Sequence, residues 1–192
     1  IIHKQSRLMV DILNELLDLA RIEARRGKDF KYTELSLQDL LADVIKAFQC
    51  PAGRALPEVD APVQAITLLA DSGKLRQALL NVLSNAYKYS PDGGAVRILV
   101  ELQQQPDQTP RVAIHISDHG MGMTSEQAGK VFTRFYRADT SGRVPGTGLG
   151  MSITKEIVEH HKGSISLISA PGEGTQVSIS LPVHVVAGQL AT

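Results

Sequence analysis

Residues 81–89 read Asn-Val-Leu-Ser-Asn-Ala-Tyr-Lys-Tyr, and this stretch decides the fold because it predicts a helix with one polar and one apolar side. Helical spacing places Asn81, Asn85 and Lys88 at i, i+4 and i+7, on one face. The apolar side, which is expected to face a sheet, carries Leu79, Leu80, Val82 and Leu83. Asparagine is a mediocre helix former, so two asparagines in register with a lysine indicate a functional face. The alternative is an ordinary solvated helix face.

The polar face offers two kinds of ligand. An asparagine side-chain oxygen is a hard ligand that suits Mg²⁺, an ion that binds phosphates while it keeps several waters. The ammonium group of Lys88 would offer a point charge to a phosphate. The face therefore predicts a site for magnesium and phosphate.

Outward from this helix, hydrophobic spacing predicts an α+β fold of about five strands and three helices. Besides 73–89, helices are expected at 37–48, at 149–161 and, in one short turn, near 125–132. Strands are expected at 30–35, 65–70, 95–102, 111–117, 164–169 and 175–182, and the proline-rich segment 50–63 is expected to be loop with a short extended piece. Helices on one face of a mixed, mostly antiparallel sheet form a two-layer sandwich.

A long helix over residues 1–25 precedes this unit. Its apolar residues form two adjacent stripes, one through Ile2, Met9, Leu13, Leu16 and Ala20 and the other through Leu8, Ile12, Leu19 and Ile22. A face this wide is typical of a helix in a four-helix bundle. It could pack on its own domain, but we favour a truncated bundle that pairs with another chain.

The composition excludes several functional classes. The 192 residues carry 20 Lys+Arg and 20 Asp+Glu, and this zero net charge with 4% aromatic residues argues against a nucleic-acid partner. No apolar run approaches the roughly 18 residues that a membrane span needs, so no membrane contact is expected. The single cysteine, Cys50, is compatible with a reducing, cytoplasmic compartment. Because the chain begins at Ile1, we expect a piece of a longer protein.

A second polar stretch, Asp118 to Met123, follows a predicted strand. Alternation along residues 112–116 places Asp118 at the end of that strand, at the entrance of a glycine-rich loop. A carboxylate there can accept a hydrogen bond from the exocyclic amine of adenine, and Gly120 and Gly122 would let the backbone approach the base. The alternative is a turn capped by aspartate.

Two further glycine stretches follow. Residues 146–151 read Gly-Thr-Gly-Leu-Gly-Met and run into a predicted helix, whose N-terminal N–H groups form an anion site. The stretch matches neither a Walker loop nor the dinucleotide fingerprint, and the irregular segment 138–145 before it suggests a mobile lid. Taken alone, residues 172–175, Gly-Glu-Gly-Thr, predict only a hairpin turn.

In this order the four stretches resemble the ATP-binding catalytic domain of sensor histidine kinases, a family shared with DNA gyrase, the heat-shock chaperone ATPase and the mismatch-repair ATPase. The resemblance covers residues 30–183 and implies a Bergerat-type two-layer α/β sandwich. The matching motifs are the N box at 81–89, the glycine boxes at 118–122, 146–150 and 172–175, and the F box at 131–137. Residues 1–25, with Leu-Leu-Asp-Leu-Ala-Arg-Ile-Glu at 16–23, resemble the second helix of the family's dimerisation and phosphoacceptor hairpin.

The resemblance implies roles for individual residues. Asp118 would read the adenine amine, Asn85 would hold Mg²⁺ between the phosphates, and Lys88 and Tyr89 would contact phosphates or ribose. Further nucleotide contacts fall on Gly120, Gly122, Met123, Arg137, Thr147, Gly148, Leu149, Gly150, Met151 and Thr175. The candidate catalytic residues are Asn81, Lys88 and Arg137.

Two departures accompany the resemblance, and one family element is missing. His119 stands where Asn or Thr is usual, and Thr133 where Glu or Asp is common. His3 is not followed by the family's Glu-Leu-Arg-Thr-Pro pattern, so we expect the phosphoacceptor histidine to lie outside this chain.

The function that follows is that of a histidine kinase fragment. It would bind ATP and Mg²⁺ in the cytoplasm and transfer the γ-phosphoryl group to a histidine of the dimerisation hairpin. The full-length protein, with or without a membrane anchor, would be a homodimer that passes the group to a response regulator receiver domain. Residues 1–27 would be the hairpin helix, 28–185 the catalytic domain and 186–192 a tail. The alternatives are a nucleotide-gated binding module without transfer, or a stand-alone ATPase of the gyrase or chaperone type, which has a general-base Glu where this chain has Asn81.

Overall fold

The computed structural model describes residues 2–25, 28–91, 93–104, 110–139 and 146–184, and for residues 2–8, 11, 23 and 25 the backbone alone. Most of the predicted lid, the boundary at residue 27 and the predicted tail 186–192 lie outside these ranges. The helices are α1 (Ile2–Arg25), α2 (Leu37–Ala47), α3 (Ser72–Lys88), α4 (Ser125–Lys130) and α5 (Gly150–His160). The strands are β1 (Thr33–Ser36), β2 (Glu58–Asp60), β3 (Thr67–Ala70), β4 (Arg97–Gln104), β5 (Pro110–Asp118), β6 (Ser164–Ala170) and β7 (Gly174–Pro182).

The main sheet has five strands in the order β2-β4-β5-β7-β6. β2 runs parallel to β4, and every other neighbouring pair in the sheet is antiparallel. The core joins residues of this sheet to those of α2, α3 and α5; its fully buried members include Ile98, Ile114, Ile179, Leu83, Ile153 and Ile157. The predicted α+β class and two-layer arrangement are confirmed.

Not every predicted strand belongs to the main sheet. The fifth strand is β2, the short extended piece within the proline-rich segment 50–63. β1 and β3 form a separate two-stranded antiparallel sheet, with Thr33 paired to Ala70 and Ser36 to Thr67. α2 follows β1 directly, because the Ser36 side chain caps the helix by accepting a hydrogen bond from the Asp39 N–H. Ser36 is thus both the last residue of β1 and the N-cap of α2, so β1 ends there.

α3 has the two faces that its sequence predicts. Its N-terminus is capped by Asp71, whose Oδ1 accepts a hydrogen bond from the Lys74 N–H over 2.9 Å. Leu79, Val82 and Leu83 are buried, whereas Leu80 is only partly buried. The polar face is left outside the core and is free to line a cavity.

α1 packs against α5, and only part of its apolar surface is covered. Leu19 and Ile22 are buried at 4% and 3% exposure, so one end of the second predicted stripe packs on the chain's own domain. Residues nearer the N-terminus stay exposed, among them Met9 at 65% and Leu13 at 54%. Among the described helices, none is both long and apolar enough to cross a bilayer.

Candidate functional site

A cavity of about 520 Å³ lies between α3, α5 and the ends of β5 and β7. All four predicted stretches contribute to its wall. Of the predicted site residues, it is lined by Asn81, Asn85, Lys88, Tyr89, Asp118, Gly122, Met123, Arg137, Thr147, Gly148, Gly150, Met151 and Thr175. Gly120 and Leu149 do not line it. Residues far apart in sequence therefore share one pocket.

Asp118 is the buried acid of this cavity, with 8% exposure at the end of β5. Its Oδ1 accepts a hydrogen bond from the Gly120 N–H over 2.8 Å, and it is paired across the sheet with Thr175. Burial raises the pKa of the Asp118 carboxyl, while the backbone N–H groups of Gly120 and Thr175 and the nearby His119 oppose that rise. The result is a desolvated hydrogen-bond acceptor in the cavity wall.

The loop after Asp118 is held from two sides by backbone contacts. The Met121 N–H donates to the Tyr89 carbonyl at the end of α3 over 3.0 Å. On the other side, the Gly172 N–H donates to the Met121 carbonyl over 2.8 Å, and the Met123 N–H donates to the Ser169 Oγ over 2.9 Å. The loop is thus clamped between α3 and the β6–β7 turn.

The two loop glycines are required by this clamp. A Cβ on Gly120 would collide with the Tyr89 carbonyl, which explains why Gly120 supports the site without lining it. Gly122 has a φ of 61°, and a Cβ there would collide with the Ala170 carbonyl. Both glycines therefore serve close backbone packing.

The α3 face contributes two amides, an ammonium and a phenol. Asn81 Nδ2 donates to the Gly150 carbonyl over 3.3 Å and so ties α3 to the first turn of α5. Asn85 is partly exposed and Lys88 is exposed at the cavity. Burial raises the pKa of the Tyr89 phenol; the Arg137 charge opposes this rise and the Asp139 charge adds to it.

The second glycine stretch forms the start of α5. Gly148 has a φ of 78°, and a Cβ there would lie 2.7 Å from the Phe135 carbonyl carbon. Leu149 is fully buried, and its N–H donates to the Thr147 hydroxyl over 3.1 Å. Its neighbour Gly150 is the first residue of α5 and lines the cavity, so the helix N-terminus, an anion-binding feature, opens on the pocket.

Sequence reasoning missed several polar residues of the wall, among them Asn14, Glu15 and Asp18 of α1 and Gln77 of α3. The Glu15 carboxylate accepts a hydrogen bond from the Thr147 hydroxyl. Asp18 accepts one from Gln77 Nε2 over 3.0 Å. In the sequence, the only signal was that Asn14, Glu15 and Asp18 fall on one face of a predicted helix. That this face borders the cavity depends on how α1 docks, which is a feature of the tertiary structure.

Two further residues of the motifs, His119 and Arg134, lie outside the cavity wall. His119 is exposed, and its Nδ1 lies 3.1 Å from the Ala95 carbonyl. Arg134 of the F box has its Nη2 3.7 Å from Glu156 Oε1 on α5. The unusual histidine therefore faces the turn before β4.

Comparison with known proteins agrees with this geometry. Residues 70–185, more than half of the chain, match the family described as histidine kinase-, DNA gyrase B-, and HSP90-like ATPase. The chain belongs to this ATPase family. This is the ATPase family that the sequence motifs resemble.

Several relatives of this ATPase domain are sensor kinases. Sensor histidine kinase TmoS of Ectopseudomonas mendocina is 32% identical over 98% of this chain, and sensor histidine kinase WalK of Bacillus subtilis is 31% identical over 93%. Full-length ShkA, solved in complex with AMPPNP, superposes with a TM-score of 0.74 at 25% identity, covering 95% of this chain and 37% of ShkA. The chain spans 19% of the length of TmoS and 29% of that of WalK.

Proposed function

We propose that this chain is the catalytic part of a sensor histidine kinase that binds Mg-ATP in the cavity and transfers the γ-phosphoryl group to a histidine of a dimerisation hairpin. One observation carries the proposal: the buried Asp118 carboxylate, the Asn85 amide and the N-terminus of α5 line the same pocket. These groups are suited to the base, the metal and the phosphates of one nucleotide.

Adenine recognition is assigned to the Asp118 end of the cavity. The carboxylate accepts a hydrogen bond from the exocyclic amine, which guanine lacks at that position. Asp118 keeps its orientation because the Gly120 N–H donates to Oδ1, and Thr175 lies beside it on β7. The clamped loop leaves room for the base edge because it carries glycines at two close backbone contacts.

Magnesium fits the donor set near Asn85. Within the described parts of the chain, there is no group of three or more His, Cys, Asp or Glu side chains that could hold a metal by themselves. Mg²⁺ commonly takes one or two protein oxygens and completes its shell with phosphates and water, so a single amide ligand suits it. When bound, the ion neutralises phosphate charge.

The remaining cavity groups position the triphosphate. Lys88 and Arg137 supply positive charge, and the N–H groups at Gly150 and Met151 supply donors at a helix N-terminus. Asn81 holds Gly150 by its carbonyl and thereby fixes the orientation of those donors. Phosphoryl transfer needs mainly this alignment and charge neutralisation.

The runner-up, a stand-alone ATPase, is disfavoured by Asn81. A hydrolytic enzyme needs a base that takes a proton from the attacking water, and an amide cannot do so at neutral pH. Asn81 also donates to Gly150, so its side chain is engaged in a structural contact. A second alternative, a binding module without transfer, shares every nucleotide contact and is separated only by experiment.

The assembly that we propose follows from α1. Its exposed apolar residues, including Met9 and Leu13, suit a hairpin partner and a second subunit. We place the hairpin helix at 1–27, the catalytic domain at 28–185 and the tail at 186–192, with a response regulator receiver domain as the downstream partner. Dependence on ATP makes the cytoplasm its site of action.

The test supplies the missing acceptor. A hairpin segment carrying the phosphoacceptor histidine is mixed with this chain and γ-labelled ATP, and acid-labile phosphate on the hairpin is measured. Labelling of the hairpin by the parent and by Asp43→Asn, an exposed control, but not by Asp118→Asn, supports the kinase. ATP binding without labelling supports the binding module, and release of free phosphate instead supports the ATPase.

A further inference from the structure

Arg54 makes an unusual set of contacts although it lies outside every motif. It belongs to the loop between α2 and β2. Its Nη1 donates to the Ser90 carbonyl over 2.5 Å, while Nη2 donates to the Ser90 Oγ over 3.2 Å and to the Gly94 carbonyl over 3.1 Å. One guanidinium therefore joins the end of α3 to the turn before β4.

The loop that carries Arg54 is itself fixed. The Arg54 N–H donates to the Pro51 carbonyl over 3.0 Å, and the Cys50 thiol lies 3.3 Å from the Arg54 carbonyl oxygen. The Tyr87 hydroxyl donates to the Ala55 carbonyl over 2.7 Å, and the Arg54 guanidinium carbon lies 5.0 Å from the Tyr87 ring centroid. The side chain is thus held in place before any ligand binds.

The first branch of contacts leads from Arg54 to the adenine-reading loop through α3. Ser90 is buried at 2% exposure and follows Tyr89 directly. The Tyr89 carbonyl accepts the Met121 N–H and lies against Gly120. Holding the Ser90 carbonyl and hydroxyl therefore restrains the residue next to the Tyr89 carbonyl, on which the loop rests.

The second branch reaches the same loop from the turn before β4. Arg54 holds the Gly94 carbonyl, and the next residue, Ala95, presents its carbonyl to His119 Nδ1 at 3.1 Å. A Cβ on Gly94 would lie 3.3 Å from the His119 Cβ, so the two backbones are closely packed. Both branches meet in residues 118–121, which begin with Asp118.

We infer that Arg54 is a positioning residue for base recognition: it sets the end of α3 and the turn before β4 so that the 118–121 loop presents the Asp118 carboxylate to adenine. The inference rests on the proposed function. The effect should be specific to base recognition, because the contacts of Arg54 lead to the base-reading end of the cavity and not to the N-terminus of α5. A lysine cannot replace this arginine, since only a planar fork reaches both Ser90 and Gly94.

The experiment measures binding of ATP, ADP and GTP to this chain and to Arg54→Met, by calorimetry well below the thermal midpoint of each protein. Loss of hydrogen bonds from a charged donor predicts about tenfold weaker binding of ATP. ADP should weaken by the same factor, GTP should change little, and the preference for ATP over GTP should therefore fall. A purely structural role would lower the thermal midpoint but leave that preference unchanged.

Two further variants complete the design. Arg97→Met removes an exposed arginine whose Nη2 pairs with Glu58 Oε2 over 3.1 Å instead of with Ser90 or Gly94, and it should bind as the parent does. Arg54→Lys keeps the charge and should still lose base preference; it replaces Arg54→Met if the latter does not fold. Parental affinity and preference in a folded Arg54 variant would overturn the inference, whereas a parent without ATP affinity would overturn the proposed function instead.

Discussion

The carboxylate of Glu15, on the N-terminal helix α1, accepts a hydrogen bond from the hydroxyl of Thr147 at the entrance to α5. Asp18, one turn later, also lines the cavity. Two negative charges of α1 therefore lie at the mouth of a pocket assigned to a triphosphate. Under the proposed function, these carboxylates would lie near the phosphates of the nucleotide and oppose its binding.

Removing the Glu15 charge should strengthen ATP binding. We expect Glu15→Gln to lower the Kd for ATP roughly threefold, in line with partly exposed charge interactions of below about 1 kcal/mol. The effect should be smaller for ADP, which carries less charge, and should shrink at high salt. Calorimetry measures it, with the exposed Asp43→Asn on α2 as control. Unchanged or weaker binding would show that α1 does not oppose the nucleotide.

Asp118→Asn should weaken ATP binding without lowering the thermal stability of the protein. An amide placed opposite the adenine amine loses a charged acceptor, so ATP affinity should fall roughly 100-fold. The fold should persist, because burial raises the pKa of Asp118 and therefore disfavours its ionised form. Because its pKa is raised, Asp118 stabilises the fold at pH values below its ordinary pKa of 3.8, and this stabilisation is lost as the pH rises through the pKa of the folded state. At neutral pH the variant should therefore melt no lower than the parent.

Calorimetry and thermal melting test this pair of effects on the same samples. Asp60→Asn, an exposed carboxylate on β2, serves as the matched control and should change neither quantity. Tight ATP binding with normal base preference in Asp118→Asn would contradict the adenine assignment. A collapsed fold would contradict the electrostatic argument.

Asn85→Ala should abolish the magnesium dependence of ATP binding. Its amide oxygen is the protein ligand that we assign to the ion, and the phosphates alone would hold Mg²⁺ less well within the pocket. Titration of ATP with and without Mg²⁺ should give a difference in the parent and little in the variant. Ser84→Ala, a neighbouring position that also lines the cavity, is the control. An undiminished magnesium response would assign the ion to other atoms.

His161 should make stability depend on pH. Its Nε2 accepts the Asp71 N–H over 3.0 Å, and its Nδ1 lies 2.7 Å from the Ile157 carbonyl oxygen, an arrangement that needs the neutral ring. Burial lowers the pKa of His161, with the nearby His160 adding to the effect, while the Ile157 carbonyl and the Asp71 charge oppose it. Its stabilisation is therefore present above the ordinary value of 6.5 and lost as the pH falls through the folded value.

Melting between pH 8 and pH 5 tests this effect. The parent midpoint should fall over that range, and His161→Gln, which keeps an acceptor for Asp71, should melt with a flatter pH dependence. His160→Gln, which changes the adjacent and less buried histidine, is the control; it should keep most of the parent's pH dependence, because His160 affects the pKa of His161 less than burial, the Ile157 carbonyl or Asp71 does. Equal pH dependence in His161→Gln and the parent would assign the titration to another group.

The elements of this chain followed closely from the sequence because their signals are local. Spacing alone predicted the two faces of α3, and alternation along residues 112–116 placed Asp118 at the end of a strand. The Ser36 cap and the glycine stretches are also readable from a few neighbouring residues. Such features depend on backbone geometry within one or two turns, which the order of residues specifies directly.

Tertiary structure decided the rest. It brought β2 rather than β1 or β3 to the edge of the main sheet. It also turned the buried side of α1 onto α5, and placed Glu15 at the cavity and Arg54 between α3 and β4. These contacts join residues dozens of positions apart, and no local preference specifies them. They form because burying the apolar faces of the helices and the sheet together leaves few ways to arrange them, and the polar side chains at the edges of that core then find their partners.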